Sequence, residues 1–257
     1  MGWMMASKKL TVCFTVDEDG DSNPVKEDLV TLSRYDYGQN VGVDRVLDLF
    51  KQEEIKTTWF IPGAVVQKFP ESSKKVRDAG HEIGHHGFDH VSPNELSYED
   101  EKEQIEKGLA AFDRVLKMRP SGYRAPYLHQ TENTYKLLRE FGFIYDASGC
   151  AQDSPYMAHD LLQIPTKYEL IDTTSFLDFS IPGLFPSPVD PEVVGRIWFD
   201  EFLGMYESEE DLCYVHVIHP LCIGHFSRLR IYRELIQKIK TFPGVTFSTL
   251  SQVAKEF

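Results

Sequence analysis

A chain of 257 residues with 42% hydrophobic and 26% charged side chains has the composition of a globular protein, long enough to bury a sizeable core without staples. Its 27 Lys and Arg stand against 40 Asp and Glu, a formal charge of −13. So acidic a surface repels phosphate backbones and anionic headgroups, which argues against nucleic-acid and membrane partners.

Leu10–Val16 is a β-branched, apolar run that reads as a buried strand ending in an acidic cluster. A polar loop extends to Asn40, and Val43, Val46, Leu47 and Phe50 then recur at helical spacing. Thr57–Ile61 reads as the second strand, closed by Pro62-Gly63. Glu71–Ala79 is a charged helix stopped by Gly80, and His81–Gly84 a third strand. Ser97-Tyr98-Glu99-Asp100 opens a long helix to Lys117 in the manner of a capping box. Gly122–Ala125 follows as a strand end, Glu132–Phe141 as a helix and Phe143–Asp146 as a strand. Ser148–Pro188 holds one strand-like stretch, Leu161–Ile164, among many turn residues and reads as a variable lid. Val193–Met205 is helical, Leu212–Ile218 a strand, Leu229–Ile239 a helix and Val245–Phe247 the last strand. Strands and helices alternate without a repeat or a linker. The expected fold is therefore α/β: one domain over 1–257, a distorted (β/α) barrel of about seven parallel strands. A doubly wound sheet is the competing architecture, but no GxGxxG follows the first strand.

Cys13, Cys150, Cys213 and Cys222 show neither a CxxC pair nor zinc-knuckle spacing and read as reduced thiols. The opening MGWMMASKKL lacks an apolar signal core, and no apolar run approaches the roughly 20 residues of a bilayer span. A cytoplasmic location is expected.

The polar residues that directly follow strands are Asp17, Asp19, His86, His90, Arg124, Asp146 and His219. In a parallel barrel they share the C-terminal rim, where active sites are built. Extended geometry past Val16 places Asp17 and Asp19 on one side and Glu18 on the other. Glu18 and Asp21 are expected to be a solvated acidic turn. His81-Glu82-Ile83-Gly84-His85 fits the zincin pattern HExxH, which needs a helix, but the glycines at 80, 84 and 87 make one expensive at about 1 kcal/mol each. His86 and His90, four apart after a strand, offer the alternative. With the carboxylate of Asp19 they make a two-histidine, one-carboxylate set with a position left open, the pattern of a catalytic zinc site. His81, His85, His129, His159, His216 and His225 are expected to be hydrogen-bonded core residues.

These motifs resemble those of the polysaccharide deacetylase superfamily, the NodB-homology fold of carbohydrate esterase family four, over Leu10 to Phe257. The resemblance rests on Asp17 and Asp19, on Gly80–His90 as GHEIGxHxxxH, on Arg124-Ala125-Pro126-Tyr127 as RxPY, on Asp146, and on Val217-Ile218-His219. It implies a metal, zinc above others, on Asp19, His86 and His90, and a general base at Asp17 paired with Arg124. It further implies a general acid at His219 oriented by Asp146, and an oxyanion contact from the backbone at Tyr127. Glu18 interrupts the adjacent aspartates usual in the family. That spacing, with Ser33-Arg34 and Gly38–Val43, is similar to an intracellular branch of allantoinase-type, cyclic-imide-hydrolysing and peptidoglycan-deacetylase-like enzymes. Several of its members are tetramers, so a homo-oligomer is expected. The implied activity is hydrolysis of a non-peptide C–N bond: deacetylation of a small N-acetylated or carbohydrate substrate, or ring-opening of a cyclic imide or ureide. A catalytically silent binding module on the same fold is the reading from another class, and the intact set of site residues disfavours it. The aromatics Tyr156, Tyr168, Phe176, Phe179 and Phe185 could stack on a sugar or form core.

Overall fold

The central strand, β1 (Leu10–Asp17), is buried along its length apart from Thr11. A strand covered on both faces must be apolar on both, so LTVCFTVD shows no alternation. The computed structural model of the protein describes residues 10–20, 33, 35–176, 189–208 and 210–257; Asp21, Arg34, Phe179 and Phe185 lie outside the described residues. One edge of β1 pairs in parallel with β8 (Cys213–Ile218), from Thr11 opposite Cys213 to Val16 opposite Ile218. Its other edge is shared: β9 (Val245–Phe247) takes Leu10–Val12, and β2 (Thr58–Ile61) takes Thr15–Asp17. From β2 the sheet continues in parallel through β3 (Glu82–His85), β4 (Gly122–Tyr123), β5 (Tyr145–Asp146) and β7 (Leu161–Gln163). β6 (Tyr156–Ala158) pairs antiparallel with β7 at the far edge. Beyond β8, Ile171 makes an isolated parallel bridge to Val217, so the sheet curls back towards β7 without a closing strand among the described residues. This is the expected parallel α/β barrel in half-closed form.

Helices cover the outside. α1 (Val43–Gln52) buries Val43, Val46, Leu49 and Phe50, whereas Leu47 of the expected stripe is only partly covered. The short α2 (Gly63–Lys68) leads into α3 (Pro70–Asp78). α4 (Tyr98–Leu116) is capped by Ser97, whose hydroxyl accepts the Asp100 N–H, and it ends where Lys117 turns left-handed. α5 (Glu132–Glu140), α6 (Asp172–Phe176), α7 (Pro191–Glu207), α8 (Pro220–Ile223) and α9 (Phe226–Lys240) complete the shell. Among the described residues no helix is long and apolar enough to cross a membrane. All four cysteines are free, and only Cys150 is exposed.

The final helix, α10 (Leu250–Glu256), was not anticipated from the sequence. Leu250 and Val253 join Cys13, Phe60, Tyr145, Leu162 and Val215 in one buried cluster. The Leu250 N–H donates to Thr58 Oγ1 and the Ser251 N–H to Glu82 Oε2, each at 2.9 Å, where β2 and β3 begin. α10 therefore floors the barrel at the end away from the polar rim. Glu82 ties it there, also accepting from Thr58 Oγ1 and, at 2.7 Å, from the Tyr145 hydroxyl.

Candidate active site

Asp17 ends β1, His86 follows β3, Arg124 follows β4, and His219 follows β8, so these side chains meet at the C-terminal ends of neighbouring strands. Ligand atoms of Asp19, His86 and His90 all lie within 4.8 Å of one another. His86 Nδ1 is 2.7 Å from the Arg124 carbonyl. A carbonyl can only accept, so Nδ1 carries the proton and Nε2 presents a lone pair. That lone pair faces Asp19 Oδ1 at 3.4 Å, and His90 Nε2 stands 3.3 Å from the same oxygen. Asp19 Oδ1 is buried and accepts no hydrogen bond. Acceptors aimed at one another out of water repel unless a cation lies between them. Two imidazoles and one carboxylate are moreover the donor set of a catalytic transition-metal site. The residues fit a divalent metal. Burial alone would raise the Asp19 carboxyl, but the surrounding imidazoles, His90 and His219 foremost, outweigh it and hold the group well below its usual range, as positive charge in the site would. His90 itself is left-handed (φ 54°), as is Tyr127 (φ 59°), a conformation costing about 1–3 kcal/mol in a non-glycine residue. The rings of these two residues lie 4.8 Å apart.

Arg124 is fully buried and all three of its nitrogens are engaged. One donates to Asp17 Oδ1 at 2.6 Å and to Thr15 Oγ1 at 2.9 Å, while the others reach the Ala147 carbonyl and Thr166 Oγ1. This charge-assisted contact fixes Asp17 in one orientation, with Oδ2 4.0 Å from His86 Nε2. His219 Nε2 faces Asp19 Oδ2 from 3.6 Å.

The partner of His219 is not Asp146, as the motif comparison implied, but Asp172. Asp172 Oδ1 lies 2.7 Å from His219 Nδ1, and Oδ2 accepts the His219 backbone N–H at 2.9 Å. Burial alone would depress this imidazole; the charges of Asp172 and Asp19 and the Asp172 hydrogen bond overturn that and push it up to about 9. Asp146 instead accepts from Ser148 Oγ at 2.6 Å and from Gln130 Nε2. Ser148 Oγ in turn accepts the Ala125 N–H, so Asp146 braces the loop that carries Arg124 and Tyr127. Burial pushes Asp146 up to about 6 against these hydrogen bonds.

Glu18 also departs from expectation. It points away from Asp17 and Asp19, as the alternation requires, yet it is buried, with Oε1 3.0 Å from Ser72 Oγ. Burial pushes it up to about 7, against hydrogen bonds from Gln39 and Ser72. The zincin pattern falls in β3 and the turn before it, not on a helix. His81 Nδ1 takes the Thr57 N–H and His85 Nδ1 the Gly87 N–H, both structural roles. His129, His159 and His225 are exposed, not core. His216 is buried with neither ring nitrogen paired, and burial pushes it down to about 3. Of the aromatics in the region read as a lid, Phe176 belongs to the core, Tyr156 is half-buried and Tyr168 is exposed.

Comparison with known proteins points the same way. The polysaccharide deacetylase family model matches residues 22–145. A peptidoglycan deacetylase of Helicobacter pylori is 27% identical over 98% of this chain and 97% of its own. A solved structure from Mycobacterium smegmatis, assigned to the polysaccharide deacetylases, is 31% identical with a TM-score of 0.89, covering 100% of this chain and 92% of the other. Puue allantoinase shares the fold, with a TM-score of 0.87 at 21% identity over 98% of this chain and 91% of its own. A family match, a close full-length structural relative and a rim of matching motif residues agree, and the chain belongs to the polysaccharide deacetylase family.

Proposed function

We propose that the protein is a zinc-dependent hydrolase of a non-peptide C–N bond that removes an acetyl group from a small N-acetylated saccharide. The observation that carries this reading is the triad of Asp19, His86 and His90, with Asp17 and His219 each within 4.0 Å of one of its members. Zinc bound there would supply Lewis acidity, acidifying a water and polarising the amide carbonyl. Asp17, fixed by Arg124, takes the proton from the attacking water. His219 donates Nδ1–H to Asp172 and presents Nε2–H to the leaving nitrogen, which cannot depart as an amine anion. The Tyr127 backbone N–H, held in a strained loop braced by Asp146, completes the oxyanion contact.

A cyclic imide or ureide is the second substrate class, supported by the Asp17-Glu18-Asp19 spacing and the shared fold of Puue allantoinase. The test is to load the protein with zinc and assay it against N-acetylglucosamine oligomers, allantoin and cyclic imides. Acetate release supports the deacetylase; ring-opening without acetate moves the substrate to the second class; zinc uptake with no turnover on any of them supports a silent binding module. One zinc per chain is expected by metal analysis, lost in His86→Ala and kept in His81→Ala; the reverse pattern would restore the zincin reading.

The chain is also proposed to form a homo-oligomer in the cytoplasm. Supporting assembly, Val189, Val193 and Ile197 leave an apolar stripe exposed along and just before α7. Light scattering is expected to give a multiple of 29.5 kDa, and a monomer at micromolar concentration would refute it.

A further inference from the structure

Gly38–Gly42 forms a single π-helical turn that runs directly into α1. Such turns are rare and occur often at functional sites. This one is wedged between the two loops that carry the proposed acid and base.

On one side it grips the turn that begins at His219. A methyl group on Gly42 would collide with the Pro220 carbonyl, and one on Gly38 would come to 3.0 Å from Leu221 Cβ. Only glycine permits this backbone contact. Pro220 directly follows His219, whose own carbonyl accepts the Cys222 and Ile223 N–H groups at 2.8 Å each. Flanking residues clamp the far end of the same turn. The Tyr37 hydroxyl donates to the Gly224 carbonyl at 3.0 Å; Arg45 donates to that carbonyl at 2.9 Å and to the Tyr37 oxygen at 2.8 Å. The Tyr37 and His225 rings stack at 4.3 Å, 5° from parallel. On the other side, Ser72 Oγ lies 3.0 Å from both Gln39 Oε1 and Glu18 Oε1, which links the turn to the residue between Asp17 and Asp19.

We infer that the π-turn Gly38–Gly42 is a positioning element that sets His219 against the Asp17–Asp19 loop, an inference that rests on the amide-hydrolase reading above. Backbone packed on backbone leaves no slack, so relief of a clash at Gly42 must move Pro220 and, with it, His219. Displacement of a reacting group by about 1 Å can cost about 100-fold in rate.

The test compares zinc-loaded wild type with Gly42→Ala, and with Tyr37→Phe and Arg45→Ala, which remove clamp hydrogen bonds without adding a clash and serve if Gly42→Ala does not fold. Amide turnover is expected to fall about 30-fold in Gly42→Ala and about 5-fold in the other two, with KM within about twofold. Turnover of an activated acetyl ester, whose leaving group needs no proton, and zinc affinity should stay within about twofold. Hydrogen exchange at the Cys222 and Ile223 amides should accelerate in all the variants that fold. Unchanged exchange, or equal loss on amide and ester, overturns the inference. A wild type that binds zinc but hydrolyses neither substrate defeats only the hydrolase reading, because the exchange measurement still judges whether the π-turn holds the His219 turn.

Discussion

Asp17→Asn is expected to lower amide turnover by about 10³-fold while leaving zinc affinity within about threefold. The asymmetry follows from where each aspartate sits. Asp19 belongs to the triad of ligand atoms, whereas Asp17 has one oxygen on Arg124 at 2.6 Å and the other 4.0 Å from His86 Nε2. Asparagine keeps the shape and can still accept from Arg124, but it cannot take a proton from water. The substitution also leaves a buried guanidinium without its counter-charge, so the unfolding temperature should fall even though Thr15, Ala147 and Thr166 keep their bonds to it. Metal analysis and kinetics on one sample decide the matter: zinc lost in step with turnover would make Asp17 a ligand and reverse the assignment of the two aspartates.

His219→Ala is expected to cost about 10²–10⁴-fold in kcat/KM on the amide and far less on an activated ester. The acid must be protonated while the base is ionised, so kcat/KM should be bell-shaped in pH, and in His219→Ala the alkaline limb should flatten. Asp172→Asn gives a second, signed readout. The Asp172 charge is the largest of the influences raising His219 to about 9, so its removal should move the alkaline limb to lower pH. The linkage has the same sign for stability: the raised imidazole stabilises the fold fully below the unfolded value of about 6.5, and this is lost as pH rises through about 9. Equal losses on amide and ester would show that His219 does something other than protonate the leaving group.

The rim was legible in the sequence because its residues fall at or within a few positions of the ends of strand-like runs, and the strand ends carry them to one place. Asp172 was not, although Ile171-Asp172 repeats the apolar-then-Asp pattern of Val16-Asp17 and Tyr145-Asp146. Its strand is reduced to one bridging residue, Ile171 opposite Val217, and a single bridge leaves no period to read. That bridge brings Asp172 beside His219, two positions beyond Val217. Glu18 was misjudged for a related reason: an acidic turn looks solvated until Ser72 and Gln39, distant in sequence, cover it. The left-handed conformation of Tyr127 is equally invisible, since a bulky aromatic residue rarely adopts it.

The position of β1 has a consequence for how the protein is made. Its neighbours β8 and β9 are encoded roughly 200 residues after it, and only β2 is near in sequence. During synthesis this buried central strand must therefore wait about 10–40 s, at 5–20 residues per second, before β8 and β9 leave the ribosome. Most of the β1 backbone ladder and the floor helix α10 then form almost together. Such a topology folds late and cooperatively, and a stalled nascent chain exposes Leu10–Val16 as an unpaired edge, the part of the molecule most in need of protection from aggregation.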